Sequence, residues 1–234
     1  MRQVVLDTET TGLEVKEGHR IIEIGCLELV GRRLTERRFH HYLNPERASD
    51  EGAVAVHGLT DEFLADKPRF AEVVDELIAF VQGAEVIIHN APFDVEFLNA
   101  ELARVKRAPF AEIAGKVTDS LKLARELHPG KRNSLDALCE RYGVSNAHRT
   151  QHGALLDAGL LADVYLAMTR GQDSLVMNTA IAADAALEAP IDASRLLVVP
   201  ASAGELAAHE ATLDAIDKAC KAGAVWRRTA TAVS

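Results

Sequence analysis

The sequence predicts an α/β fold, a mixed five-stranded sheet flanked by helices, followed by a linker and a small C-terminal docking segment. Three observations carry this expectation. Three β-rich runs follow one another at the start of the chain, with room for only a tight turn between the second and third. From residue 70 onward, apolar positions at helical spacing alternate with short aliphatic runs, and after residue 171 that periodicity lapses. Strands joined by short turns pair antiparallel, and strands separated by a helix pair parallel, so the sheet is mixed.

Val4, Val5 and Leu6 have the β-branched and aliphatic character of a buried strand, and Thr10, Thr11 and Gly12 end it in a polar turn. IIEIGCLELV, residues 21–30, reads as a second central strand. Gly31 and Arg32 form a hairpin turn into a third, in which Phe39, His41 and Leu43 alternate with polar neighbours. Residues 44–69 read as loop and short helix, punctuated by Pro45 and Pro68, with HGLT at 57–60. Phe70, Val73, Val74, Leu77, Ile78 and Val81 mark an amphipathic helix that stops at Gly83.

EVIIHN, residues 85–90, is the next buried strand, and Asn90 and Pro92 are placed to start a helix. A short strand at Val117 and Thr118 precedes a helix to about His128, a PGKRNS loop and a helix from Ser134. In that loop Lys131 and Arg132 are the candidates for phosphate contacts. The helix of residues 152–168 takes Leu156, Leu160, Val164 and Met168, with Leu161 and Tyr165 beside them, as its core stripe. Residues 173–194 read as a linker and 196–200 as a short strand. Ser202 and Glu205 then form a capping box for a last helix with Leu206, Leu213 and Ile216 on one side. The expected division is residues 1–172, 173–194 and 195–234.

Composition narrows the function classes. The net charge of −9 argues against tight free-standing binding to nucleic acid, although residues 101–150 carry ten Lys or Arg against six Asp or Glu. The three cysteines are far apart without CxxC spacing, so neither a disulfide framework nor a thiolate zinc site is expected. No apolar run approaches the roughly 20 residues of a membrane span, and the N-terminus enters a strand directly, which reads as a cytoplasmic protein.

The chemistry is concentrated in carboxylates. Asp7 and Glu9, two apart on a strand, face the same way at its rim. Asp94 lies in the first turn of a helix that starts at the carboxyl end of a strand. Asp157 falls beside an apolar helix stripe, which is costly for a charge that is neither paired nor coordinated. Four hard oxygen ligands suit Mg²⁺ or Mn²⁺ rather than zinc. Two such ions about 4 Å apart would clamp the attacking and leaving oxygens of a phosphoryl displacement. His152, five residues before Asp157, is placed to act as general base, so phosphodiester hydrolysis is the expected reaction.

DTETTG, HNAPFD and HGALLDA resemble the three motifs of the DEDDh group of 3′→5′ exonucleases, which implies a ribonuclease H-like fold. VHGLTDEFL, KVTDSLKLAR, PGKRNSLDALCERYGV and AAHEATLDAIDKACKAGAVW are similar to the epsilon family of proofreading subunits of bacterial DNA polymerase III, so the resemblance spans essentially the whole chain. It implies metal ligation by Asp7, Glu9, Asp94 and Asp157, with His152 as base. It also implies substrate contacts by Asp7, Glu9, Asp157 and His57, the last at the terminal nucleotide. Where that family often has an acidic residue, five positions before His57, this chain has Gly52, with Glu51 next to it. Gln172, Leu175 and Met177 are similar to a sliding-clamp motif. Residues 195–234 would dock on the polymerase alpha subunit, with Trp226 as an anchor. The rival expectations are an RNA-trimming exonuclease of the same group and a non-catalytic polymerase scaffold.

Overall fold

The computed structural model describes residues 2–147, 151–170, 200–220 and 224–230, with side chains in the last stretch through Arg227. The chain divides into two compact units, residues 1–177 and 178–234.

In the first unit, strands β1 (Arg2–Thr10), β2 (Ile21–Val30), β3 (Arg33–Tyr42), β4 (Glu85–Ile88) and β5 (Lys116–Asp119) form one sheet in the order β3-β2-β1-β4-β5. The β1–β2 and β2–β3 pairs are antiparallel; β1–β4 and β4–β5 are parallel. The β2–β3 hairpin turns on Gly31 and Arg32, both at positive φ (57° and 63°), the geometry a two-residue turn needs to match strand twist.

Alternation along β1 builds two cores. Val4 and Leu6 pack on one face with α3 (Phe70–Val81) and α4 (Ala91–Arg104), whereas Val5 packs on the other with α7 (Leu135–Tyr142) and α8 (Ala154–Met168). Short helices α1 (Glu51–His57), α2 (Asp61–Leu64), α5 (Phe110–Ile113) and α6 (Ser120–Leu127) fill the connections.

Two details depart from the sequence expectation. Asn90 does precede α4, but at φ 66° and without a side-chain cap, so its left-handed backbone, rather than its amide, turns the chain into the helix. In α8, Leu156 is exposed, because at 3.6 residues per turn it points about 200° away from Ala154. The rest of the expected stripe, Leu160, Val164 and Met168, is buried, as are Leu161 and Tyr165 beside it, and Ala154, Asp157 and Ala158 extend the buried stripe toward the start of the helix. Small residues lead that stripe because β2 comes very close: a Cβ on Gly25 would stand 2.3 Å from the Leu155 nitrogen.

The second unit contains α9 (Ala203–Ala219) and α10 (Val225–Ala230). Ser202 and Glu205 make the expected capping box. Arg227 reaches Glu210, Asp214 and Asp217, and His209 packs edge-on to Trp226. Of the three apolar residues expected on one side of α9, Leu213 is buried while Leu206 and Ile216 are exposed, as is Trp226 at 69%. The expected linker at 173–194 lies outside the described residues, and so does all but Pro200 of the expected strand at 196–200. Among the described residues no helix is long and apolar enough to cross a membrane.

Candidate active site

The site forms where β1 outruns its neighbour. Pairing of β1 with β4 ends at Val5, while pairing with β2 continues to Thr10, so Asp7 and Glu9 project past β4 into a gap at the sheet edge. β4 feeds α4 across that gap, and Asp94 in the first turn of α4 is buried and accepts a hydrogen bond from the Thr8 hydroxyl (2.7 Å). Burial pushes the Asp94 carboxyl up to about 7, a shift that hydrogen bonds from Thr8 and the backbone oppose.

From the other side, the close packing of α8 on Gly25 brings in Asp157, which is also buried. The backbone N–H of His152 donates to Val56 (3.1 Å), fixing the approach to α8. The His152 Nδ1 stands 3.3 Å from the Asp157 carboxylate, and the imidazole is 44% exposed. Asp7, Glu9, Asp94, His152 and Asp157 all line one cleft of about 760 Å³.

The donor set fits a divalent cation. Glu9, His152 and Asp157 each offer a ligand atom, and these atoms lie within 4.8 Å of one another. Opposite oxygen ligands of Mg²⁺ stand about 4.2 Å apart, so the Glu9 and Asp157 carboxylates are within a small shift of sharing one ion.

His57 is not in this cleft. It ends α1, next to Gly58 at φ 73°, and lines a second hollow of about 460 Å³ with Gly12, Gly52, Val56 and Phe93. Its Nδ1 accepts the Leu59 backbone N–H (3.0 Å), which leaves the proton on Nε2, a buried donor that has no partner among the described residues. Burial lowers the His57 pKa, which favours the neutral ring that accepting at Nδ1 requires. Glu51 is exposed and does not line this hollow. Gly52 does, with nothing within 4 Å of where its Cβ would stand.

Gln172, Leu175 and Met177 lie outside the described residues. Sequence reasoning passed over Thr8, Phe93 and Arg125. Thr8 lies on the opposite pleat from the two acids and holds Asp94, and Phe93 lines both hollows. Arg125 lies on α6 and reaches the cleft only through tertiary packing, so no local pattern marks it.

With this geometry established, comparison with known proteins is informative. Residues 4–165 match the profile of the exonuclease family. The chain belongs to the exonuclease family. It is 53% identical over 238 residues to DNA polymerase III subunit epsilon of Salmonella typhimurium strain LT2, and 52% identical to that of Escherichia coli K12, with 97% of each chain covered in both cases. The solved structure of exonuclease X in complex with 5′ overhanging duplex DNA superposes with a TM-score of 0.56 at 26% identity, over 73% of this chain and 93% of that one. A structure of exonuclease I shares the fold, with a TM-score of 0.64 at 17% identity over 72% of this chain and 41% of its own. The mixed five-stranded sheet is therefore the ribonuclease H-like sheet of this exonuclease family.

Proposed function

We propose that this chain is the proofreading 3′→5′ exonuclease of a replicative DNA polymerase III, removing mismatched 3′-terminal nucleotides from DNA by hydrolysis. The observation that supports it best is the convergence of Glu9, His152 and Asp157 within 4.8 Å, in a cleft that also holds Asp7 and Asp94. Two divalent cations, Mg²⁺ or Mn²⁺, would be held by Asp7, Glu9, Asp94 and Asp157; when bound they neutralise phosphate charge and acidify the attacking water.

The chain's own residues supply the remainder. With Nδ1 of His152 beside Asp157, Nε2 is the nitrogen that takes the proton of the attacking water, and exposure at the cleft mouth lets it pass that proton to solvent. The Nε2–H of His57 donates to the terminal nucleotide, whose sugar and base occupy the hollow beside Phe93. Asp7, Glu9 and Asp157 would contact the substrate at the scissile phosphate when the cations are bound.

On this reading residues 1–172 are the exonuclease, residues 173–194 a linker, with Gln172, Leu175 and Met177 at the junction of the two meeting the sliding clamp, and residues 195–234 the segment that docks on the polymerase alpha subunit. Support for the last comes from the full-length likeness to epsilon subunits and the exposed Trp226.

The test is stepwise shortening of a 5′-labelled single-stranded DNA and its RNA counterpart, with Mg²⁺, with Mn²⁺ and with chelator, for the wild type, His152→Ala and Asp7→Ala. Metal-dependent loss of 3′ nucleotides that favours DNA and disappears in both variants is the expected result. Preference for RNA, or no activity with either metal, overturns the assignment.

A further inference from the structure

The acid-lined cleft and the hollow of His57 share Thr8, Glu9 and Phe93, so the two make one trough with the carboxylates in the middle. Its two ends differ in charge. Among the described residues no Lys or Arg lines the His57 hollow, whereas Arg125 and Lys131 line the cleft outside the part it shares with that hollow.

Both side chains are exposed, and neither makes a hydrogen bond or ion pair among the described residues, whereas Arg2, Arg20 and Arg107 are each engaged by a carboxylate. Lys131 is also held in place. Its loop turns on Gly130 at φ 72°, the buried Asn133 amide donates to the carbonyls of His128 and Lys131, and Arg141 ties Asn133 and the Arg132 carbonyl to α7. The next cation in sequence, Arg132, does not line the cleft but an adjoining hollow, which shares Gly130 and Lys131 with it.

Two unengaged cations facing a cluster of acids are poorly explained by stability, since they gain no close partner. They suit a ligand that must bring negative charge past those acids. We propose that Arg125 and Lys131 form a phosphate rail that holds the phosphodiester backbone on the 5′ side of the scissile bond, while the 3′-terminal nucleoside lies in the His57 hollow. This deepens the exonuclease reading and rests on it for the direction of the strand. The rail gives an acidic chain a local grip on a single strand near the acids, because phosphate contacts from Lys and Arg are what nucleic-acid affinity is built on.

The test uses the full chain and two substrates: a single-stranded oligothymidylate, and the p-nitrophenyl ester of thymidine 5′-phosphate, which has a scissile bond and no upstream phosphate. Arg125→Ala and Lys131→Ala are each expected to raise KM for the oligonucleotide about tenfold at similar kcat. Ester hydrolysis should stay within about twofold of the wild type. Arg132→Ala should leave both substrates unaffected. Oligonucleotide binding followed by anisotropy, with Ca²⁺ in place of Mg²⁺, should lose about 0.7 from the slope of log affinity against log salt for each rail residue removed.

An unchanged KM and salt slope overturns the rail, as does an equal loss on ester and oligonucleotide or an equal loss from Arg132→Ala. If the wild-type protein hydrolyses neither substrate, the exonuclease reading fails, and the salt slopes still decide whether these two residues grip a strand.

Discussion

Two groups of buried carboxylates lie in and around the same sheet, and the fold treats them differently. Glu28 is closed by Arg2 (2.7 Å), Thr35 (2.8 Å) and Arg37 (2.8 Å), Glu85 by Gln3, Lys116 and Thr118, and Glu101 by two guanidinium contacts from Arg20 (2.5 and 2.8 Å). Asp94 and Asp157 are as deeply buried, yet the protein offers Asp94 a hydroxyl and stands a histidine beside Asp157. The consequence shows in their titration. The Arg2 bond pulls Glu28 below the usual carboxylate range, and around Glu85 the hydrogen bonds outweigh the upward push of burial, whereas burial drives Asp94 up. Acids that the fold closes with its own cations thus stand apart from acids that, on the proposed reading, would hold a metal ion.

If that division is right, removing charge from the two groups has opposite effects. Asp94→Asn should cut kcat about 10³-fold or more, while thermal stability measured in chelator holds or rises because a buried charge is gone. A Tm that falls with kcat would put Asp94 among the structural acids. His152→Ala should lower kcat by roughly 10² to 10⁴ with little change in Tm, since the imidazole is half exposed at the cleft mouth. Equal loss of activity and stability would break its assignment as base. Glu101→Gln should do the reverse, costing roughly 3 kcal/mol by leaving Arg20 beside a neutral partner, and leaving kcat of the folded enzyme intact. Urea unfolding alongside an activity assay separates the two behaviours.

The active group was far more legible in the sequence than the structural one, and the reason is chain distance. Asp7 and Glu9 announce themselves through the two-residue strand period, Asp94 through a helix start and Asp157 through its place beside an apolar helix stripe, all local signals. Glu101 meets Arg20 across 81 positions and Glu85 meets Gln3 across 82, pairings that only the folded sheet creates. Local reasoning failed at Leu156 alone of its stripe: the apolar spacing fits, but where β2 closes on the start of α8 at Gly25 the buried positions are Ala154 and Ala158. The Lys131 loop could be marked by its charge, but which of Lys131 and Arg132 enters the cleft depends on Asn133 and Arg141 pinning the backbone.

The smallest expected effect lies in the pH dependence of Glu28. Its folded pKa sits below the ordinary 4.5, so folding favours the ionised form. The stabilisation is complete above the unfolded pKa and is lost as pH falls through the folded one. Glu28→Gln should therefore cost about 1 kcal/mol at neutral pH, a modest figure because Arg37 is mostly exposed. The difference from wild type should shrink steadily as pH falls below about 4.5. Urea midpoints at neutral and acid pH measure it. A difference that stays constant with pH would mean that the ionised state of Glu28 contributes nothing, and the contrast with Asp94 would then be one of geometry rather than charge.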